Sequence, residues 1–171
     1  MKRMIYIAVG TVAALMVATM VGTACMWPMI NEVETGATPE YPEIQPHYYS
    51  TDSARIYEEA LASVDALERW EVADRDRSQR RIEAERTTRL LRFVDDITIR
   101  VEPVTEYVAQ VHVRSASRVG EADFGQNARN IEEFFDELDE RLGAVKFDPD
   151  EAVPKEETEP ELPDDEQTGE G

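Results

Sequence analysis

Residues 97–101 read Ile-Thr-Ile-Arg-Val and residues 109–113 read Ala-Gln-Val-His-Val; this pair of alternating runs decides the fold. Side chains on a strand alternate between faces, so Ile97, Ile99 and Val101 share one face, and Ala109, Val111 and Val113 share another. A turn centred on Thr105 predicts a hairpin with Ile99 opposite Val111 and Ile97 opposite Val113. All the apolar residues then meet on one buried side. The other side receives Arg100 beside Gln110, Thr98 beside His112, and Asp96 beside Arg114.

Upstream, Trp70, Val72 and Asp74 alternate, as do Ile82, Ala84 and Arg86, with Arg77-Ser78-Gln79 as the connection. Leu90, Leu91 and Phe93 read as core residues of an irregular strand rather than an apolar lip. Two helices complete the pattern. Ile56, Tyr57, Ala60, Leu61, Val64 and Leu67 form a stripe at three- and four-residue spacing, after a cap at Thr51 or Asp52. Ala128, Ile131, Phe134, Phe135, Leu138 and Leu142 form the second, predicted to start from a cap at Asp123 and stop at Gly143. His47-Tyr48-Tyr49-Ser50 reads as a short opening strand. The expected fold class is α+β: an antiparallel sheet of four to five strands, two helices packed on one face, and a transmembrane or signal helix in front.

Residues 1–30 are that anchor or signal. Met4 to Ile30 carries no charged side chain, which exceeds the roughly 20 apolar residues a bilayer demands. Lys2 and Arg3 precede it and Glu32 and Glu34 follow. This bias predicts a domain on the extracytoplasmic side, periplasmic or cell-surface. The segment reads as a retained span, a lipoprotein signal acylated at Cys25 after Gly22-Thr23-Ala24, or an ordinary cleaved signal. Cys25 is the single cysteine, so no intrachain disulfide is available. Residues 31–46, rich in X-Pro steps, read as an extended linker, and 47–143 as the folded domain. Residues 144–171, crowded with Pro, Asp and Glu, read as a disordered acidic tail that supplies about half of the net charge of −19. So acidic a chain repels phosphate backbones, and no nucleic acid partner is expected.

The densest polar cluster runs from Arg114 through Ser115, Ser117 and Arg118 to Asn127, where a glycine-containing loop leads into a helix N-terminus. With Arg92 these residues are the candidate binding set for a small anion. The competing expectation is structural: Arg114 and Arg118 pair with Asp95, Asp96 and Asp123 to fix a long connection, with Arg100 in a further pair. On that reading Arg118→Ala destabilises the domain. Asp95 and Asp96 are adjacent on a strand and point to opposite faces, so a shared metal ion is not expected. His112 and Ser115 differ in parity and face apart, so no nucleophile–base pair is expected and no catalytic residue is assigned. Nothing in the sequence calls for a cofactor.

The order TRLLRFVDDITIRV, then VHVRSASRVGEADFGQNARNIEEFF, resembles the bacterial and plastid family called domain of unknown function 1499. An arginine–phenylalanine step before paired aspartates, a Ser-Arg-Val-Gly loop and a Gly-x-Asn-Ala-x-x-Ile helix start carry the resemblance. It spans about Tyr41 to Leu142. The resemblance implies no activity, substrate or cofactor, because the family has none established. The residues themselves point to a membrane-anchored envelope protein. It is expected to be a non-enzymatic binding or interaction module with the membrane and an envelope protein or small anionic ligand as partners. The alternative is an anion-binding or catalytic module built on the arginine–serine loop.

Overall fold

The computed structural model describes residues 11–12, 30–89, 92–120 and 125–149. Within them the chain forms strands β1 (Glu32–Glu34) and β2 (His47–Tyr49), helix α1 (Ser53–Ala66), and strands β3 (Trp70–Asp76), β4 (Arg81–Thr87), β5 (Val94–Pro103) and β6 (Ala109–Ser117). Helix α2 (Gln126–Leu142) and strand β7 (Lys146–Phe147) follow. All pair antiparallel in one seven-stranded sheet of order β3-β4-β5-β6-β2-β7, with β1 also on β6. The α+β class stands, with more strands than expected. The extra ones, β1 and β7, lie in the segments read as linker and tail. Elements of three and two residues are too short to show alternation, and only pairing reveals them.

β1 and β2 lie end to end along the outer edge of β6, against Arg114–Ala116 and Ala109–Val111 respectively. Between them the buried Thr35 continues the ladder: its N–H donates to the Val113 carbonyl at 3.0 Å, and its Oγ1 accepts from the Val113 N–H at 3.1 Å. Gly36 then reverses the chain with φ +70, where a Cβ would stand 3.3 Å from Pro46 Cδ.

The β5–β6 hairpin is offset by two residues from the sequence expectation. Ile99 faces Val113, Ile97 faces Ser115, Arg100 faces His112, Thr98 faces Arg114 and Asp96 faces Ala116. Val104 and Thr105 both donate to the Val108 carbonyl, which moves the turn forward. A shift of two preserves parity, so the buried face remained correct while each cross-strand partner changed.

Both helices cover the face carrying Ile82, Ala84, Ile97, Ile99, Val101, Val111 and Val113. From α1 come Ile56, Tyr57, Ala60, Leu61 and Val64, and from α2 Ile131, Phe134, Phe135, Leu138 and Leu142. Each large aliphatic or aromatic side chain buried this way contributes about 1.5–3 kcal/mol. Asp52 caps α1, its carboxyl accepting from Ala54 N–H at 2.6 Å. Helix α2 departs from expectation at its start, and at its end it stops at Gly143 as expected but without a left-handed cap. Its N-cap is the left-handed Gly125 (φ 74) rather than Asp123, which lies outside the described residues. Gly143 is right-handed (φ −54), so the chain tightens into a 3-10 turn over Gly143–Val145 and continues into β7. Phe93 is 43% exposed, contrary to its expected place in the core, and Leu90 and Leu91 lie outside the described residues. Among the described residues no helix is long and apolar enough to cross a membrane. The apolar run 4–30, with Cys25, falls almost wholly outside them, as do residues 150–171.

Candidate functional site

Where α2 starts, its first turn lies against the ends of β5 and β6 and buries a polar cluster under the apolar core. Asp95, Ser115, Asn127 and Asn130 are all at most 1% exposed. Ser115 Oγ donates to Asn127 Oδ1 at 2.6 Å and accepts from Asn130 Nδ2 at 3.0 Å. The Asp95 carboxyl accepts from Ser117 Oγ at 2.8 Å and from Asn130 Nδ2 at 3.0 Å. Gln126 Nε2 closes the far side by donating to Asn130 Oδ1 at 2.8 Å.

The cluster also reaches back to the start of the domain. Asn127 Nδ2 donates to the Asn31 carbonyl at 2.8 Å, and the Ser117 N–H donates to the same oxygen at 2.9 Å. Asn31 Nδ2 in turn donates to the Gly120 carbonyl at 3.2 Å. The residue that follows the apolar run is therefore clamped by the loop and helix start, with no slack before β1. This corrects the reading of 31–46 as an extended linker.

The arginines of the candidate binding set point elsewhere. Arg114 stands on the open face of the sheet and makes a two-pronged pair with Glu32, at 2.7 and 2.5 Å. That hydrogen bond holds the Glu32 carboxyl below the usual carboxylate range. Arg118 binds Asp96 at 2.6 and 3.0 Å and Glu85 at 2.6 Å, which raises its pKa further. Asp95, expected to meet an arginine, is held by a hydroxyl and an amide instead, because its strand parity turns it toward α2 while Asp96 faces out. Arg100 pairs with Glu34 at 2.7 Å and with Glu102 at 3.6 Å. Arg92 is separate again. With φ +54 it lines a recess of about 330 Å³ with Arg69 (φ +69), Arg89 and Trp70, and with the carboxylates of Glu71 and Glu85.

Chemically, the buried cluster offers hydroxyls and amides already engaged with one another. Ser115 faces α2, whereas His112 is half-buried on the opposite face, so the two share no reacting space. No group of His, Cys, Asp or Glu suited to a metal occurs among the described residues.

Sequence reasoning missed two features. One is the part played by Asn130, whose i+3 spacing from Asn127 on a helix was the available signal. The other is Asp139, which accepts from Tyr49 Oη at 2.6 Å and Lys146 Nζ at 2.5 Å and contacts His47 Nδ1 at 3.3 Å. Burial opposes its charge, but the hydrogen bonds from His47, Lys146 and Tyr49 outweigh this and lower its carboxyl to about 2. The His47 ring also stacks on Phe135, with centroids 3.8 Å apart.

The uncovered face of the sheet holds a cavity of about 1050 Å³ at the β1–β6–β2 end. Arg100, Gln110, His112 and Tyr48 line it, together with the 34–37 turn and Lys146–Pro149.

No curated protein matches the chain. Among solved structures it is similar to the di-domain ARO/CYC BexL from the BE-7585A biosynthetic pathway, with 17% identity and a TM-score of 0.40. That likeness covers 67% of this chain and 45% of the other, so the chain spans less than half of that protein's length. It is also similar to TTHA0849 from Thermus thermophilus (16% identity, TM-score 0.36, covering 66% and 97%). A third is the Zhui aromatase/cyclase from Streptomyces sp. R1128 (11%, 0.35, covering 66% and 86%). Likenesses this distant carry nothing about the chemistry of this chain. A family model described as "Protein of unknown function (DUF1499)" matches residues 24–138, more than half of the 171 residues, and takes in the whole buried cluster. The chain belongs to the DUF1499 family.

Proposed function

We propose that this protein is a non-enzymatic binding module of the cell envelope, tethered by its N-terminal apolar segment and displayed on the extracytoplasmic side. In this reading the family motif builds the fold and its attachment to the anchor. The observation that supports it most is the double hydrogen bond from Asn127 Nδ2 and Ser117 N–H to the Asn31 carbonyl. The motif's polar groups are spent on one another and on the chain leaving the anchor. A domain pinned one residue after a membrane span is held close to the bilayer, with its uncovered sheet face free for a partner. A reporter enzyme active only outside the cytoplasm, fused after Pro149, tests the topology. Activity of the fusion confined to the cytosol refutes it.

A second reading, binding of a small anion, has one observation in its favour. Arg69, Arg89 and Arg92 line a single recess whose carboxylates, Glu71 and Glu85, number one fewer. Guanidinium groups of this kind suit phosphate and carboxylate oxygens. Stabilisation of the full-length chain by inorganic phosphate or citrate, abolished in Arg92→Ala, supports that reading. The absence of any thermal shift with both anions removes it.

A further inference from the structure

The cavity on the uncovered sheet face has a lining that selects its ligand by elimination. Two cations, Arg100 and Lys146, are matched by two carboxylates, Glu34 and Asp148. Both cations are also engaged: Arg100 with Glu34 at 2.7 Å, and Lys146 with Asp139 at 2.5 Å. A charged ligand therefore meets a lining of balanced charge and would have to break an existing pair. A wholly apolar ligand would strip water from the guanidinium, amide and imidazole groups without replacing their hydrogen bonds.

What remains complementary is a neutral molecule dense in donors and acceptors. Arg100 has five N–H donors and is held in place by carboxylates on two sides, Glu34 and Glu102. Tyr48 Oη accepts from Gln110 Nε2 at 2.7 Å, which fixes both side chains and leaves the phenol hydrogen and the amide oxygen for a ligand. His112 is half-buried beside them, opposite Arg100 across the strands, and its ring forms no hydrogen bond among the described residues. Burial lowers its pKa and so favours the neutral ring, in which one nitrogen donates and the other accepts. The wall beside this polar floor is aromatic, with the Tyr48 and Phe147 rings 6.0 Å apart and tilted by 57°. Hydroxyls for the floor and C–H faces for the wall describe a carbohydrate ring. About 1050 Å³ is at the upper end of the usual small-molecule pocket and admits more than one ring.

We infer that the cavity between the 34–37 turn, the β2–β6 edge and the β7 segment is a binding site for a neutral carbohydrate, contacted by Arg100, Gln110, His112 and Tyr48. The assignment rests on the reading of the chain as a binding module and names the ligand class of that module.

Saturation-transfer NMR on the full-length chain, in a detergent without a sugar headgroup, tests it with maltotriose and chitotriose as probes. The inference predicts saturable binding of at least one of them. It also predicts at least about a tenfold loss of affinity in His112→Ala and in Gln110→Ala, at unchanged thermal midpoints. Gln110→Ala guards against a fold defect in the histidine variant, since the two alter different strand positions. Arg81→Ala, on the same face but outside the cavity, leaves binding intact. The inference is overturned if neither oligosaccharide binds saturably, or if binding survives both cavity variants. Binding followed by shortening of the oligosaccharide would uphold the ligand class while contradicting the non-enzymatic reading, so the two can fail separately.

Discussion

Replacing Asn130 with alanine removes the residue on which the buried cluster turns. Its amide donates to Asp95 Oδ2 and to Ser115 Oγ, both at 3.0 Å, and its carbonyl accepts from Gln126 at 2.8 Å. After truncation Asp95 keeps only Ser117, and Ser115 keeps only Asn127. Each buried polar group left short of a partner costs about 1–3 kcal/mol. The Asp95 and Ser115 sites together, with part of the side-chain volume also lost, give a destabilisation of about 3–5 kcal/mol. Against a typical total of about 5–15 kcal/mol this is large, and at about 4–8 °C per kcal/mol the thermal midpoint falls by more than about 10 °C. Urea unfolding followed by far-ultraviolet circular dichroism measures it, with the slope unchanged if only stability moves. Asn130→Asp sharpens the test by placing a second carboxyl against Asp95, where two like charges resist ionising together. Its folded pKa is raised, so this variant gains stability as pH falls and loses it as pH rises. A midpoint for Asn130→Ala within about 1 kcal/mol of the parent, or a pH-independent Asn130→Asp, refutes the account of the cluster.

Three further outcomes rest on the geometry. Arg118→Ala leaves the thermal midpoint nearly unchanged, because its pairs with Asp96 and Glu85 are solvent-exposed and screened; a large fall would restore the structural weight that the sequence alone assigned to this residue. Asp139 has a depressed folded pKa of about 2, so its contribution is complete above the ordinary carboxyl value near 3.8 and drains away as pH falls toward 2. Asp139→Asn flattens that part of the acid-unfolding curve and lowers neutral-pH stability by on the order of 2 kcal/mol; an unchanged acid profile contradicts it. Gly36→Val strains a left-handed turn and forces a side chain toward Pro46, costing on the order of 1–2 kcal/mol by urea titration, whereas a silent substitution would mean that the turn readjusts.

The sheet was legible because its buried side chains alternate. Ile97, Ile99, Val101, Val111 and Val113 announce one face whatever the register, and a two-residue error leaves that face intact. Register depends on how many residues the turn consumes, and Val104–Val108 gave no Asn-Gly or Gly-Gly signal to fix it. β1 escaped notice because Val33 is its only buried residue, and a single apolar side chain has no period. At the site, strand parity alone separates Asp95 from Asp96 and His112 from Ser115. The carboxylate that Arg114 meets was not legible, since it depends on β1 arriving from some 80 residues away to place Glu32 beside it. Long-range neighbours of this kind leave no local trace in the chain.

The most direct measurement is native-state hydrogen exchange across residues 31–35 and the α2 start, in the parent chain and in Asn127→Ala. The account predicts slow exchange at the Thr35 and Ser117 amides of the parent. It predicts a selective acceleration there in the variant, while β4 and β5 stay protected. Rapid exchange at those amides in the parent, or equal protection in both proteins, would mean that the motif does not clamp the chain where it leaves the apolar segment.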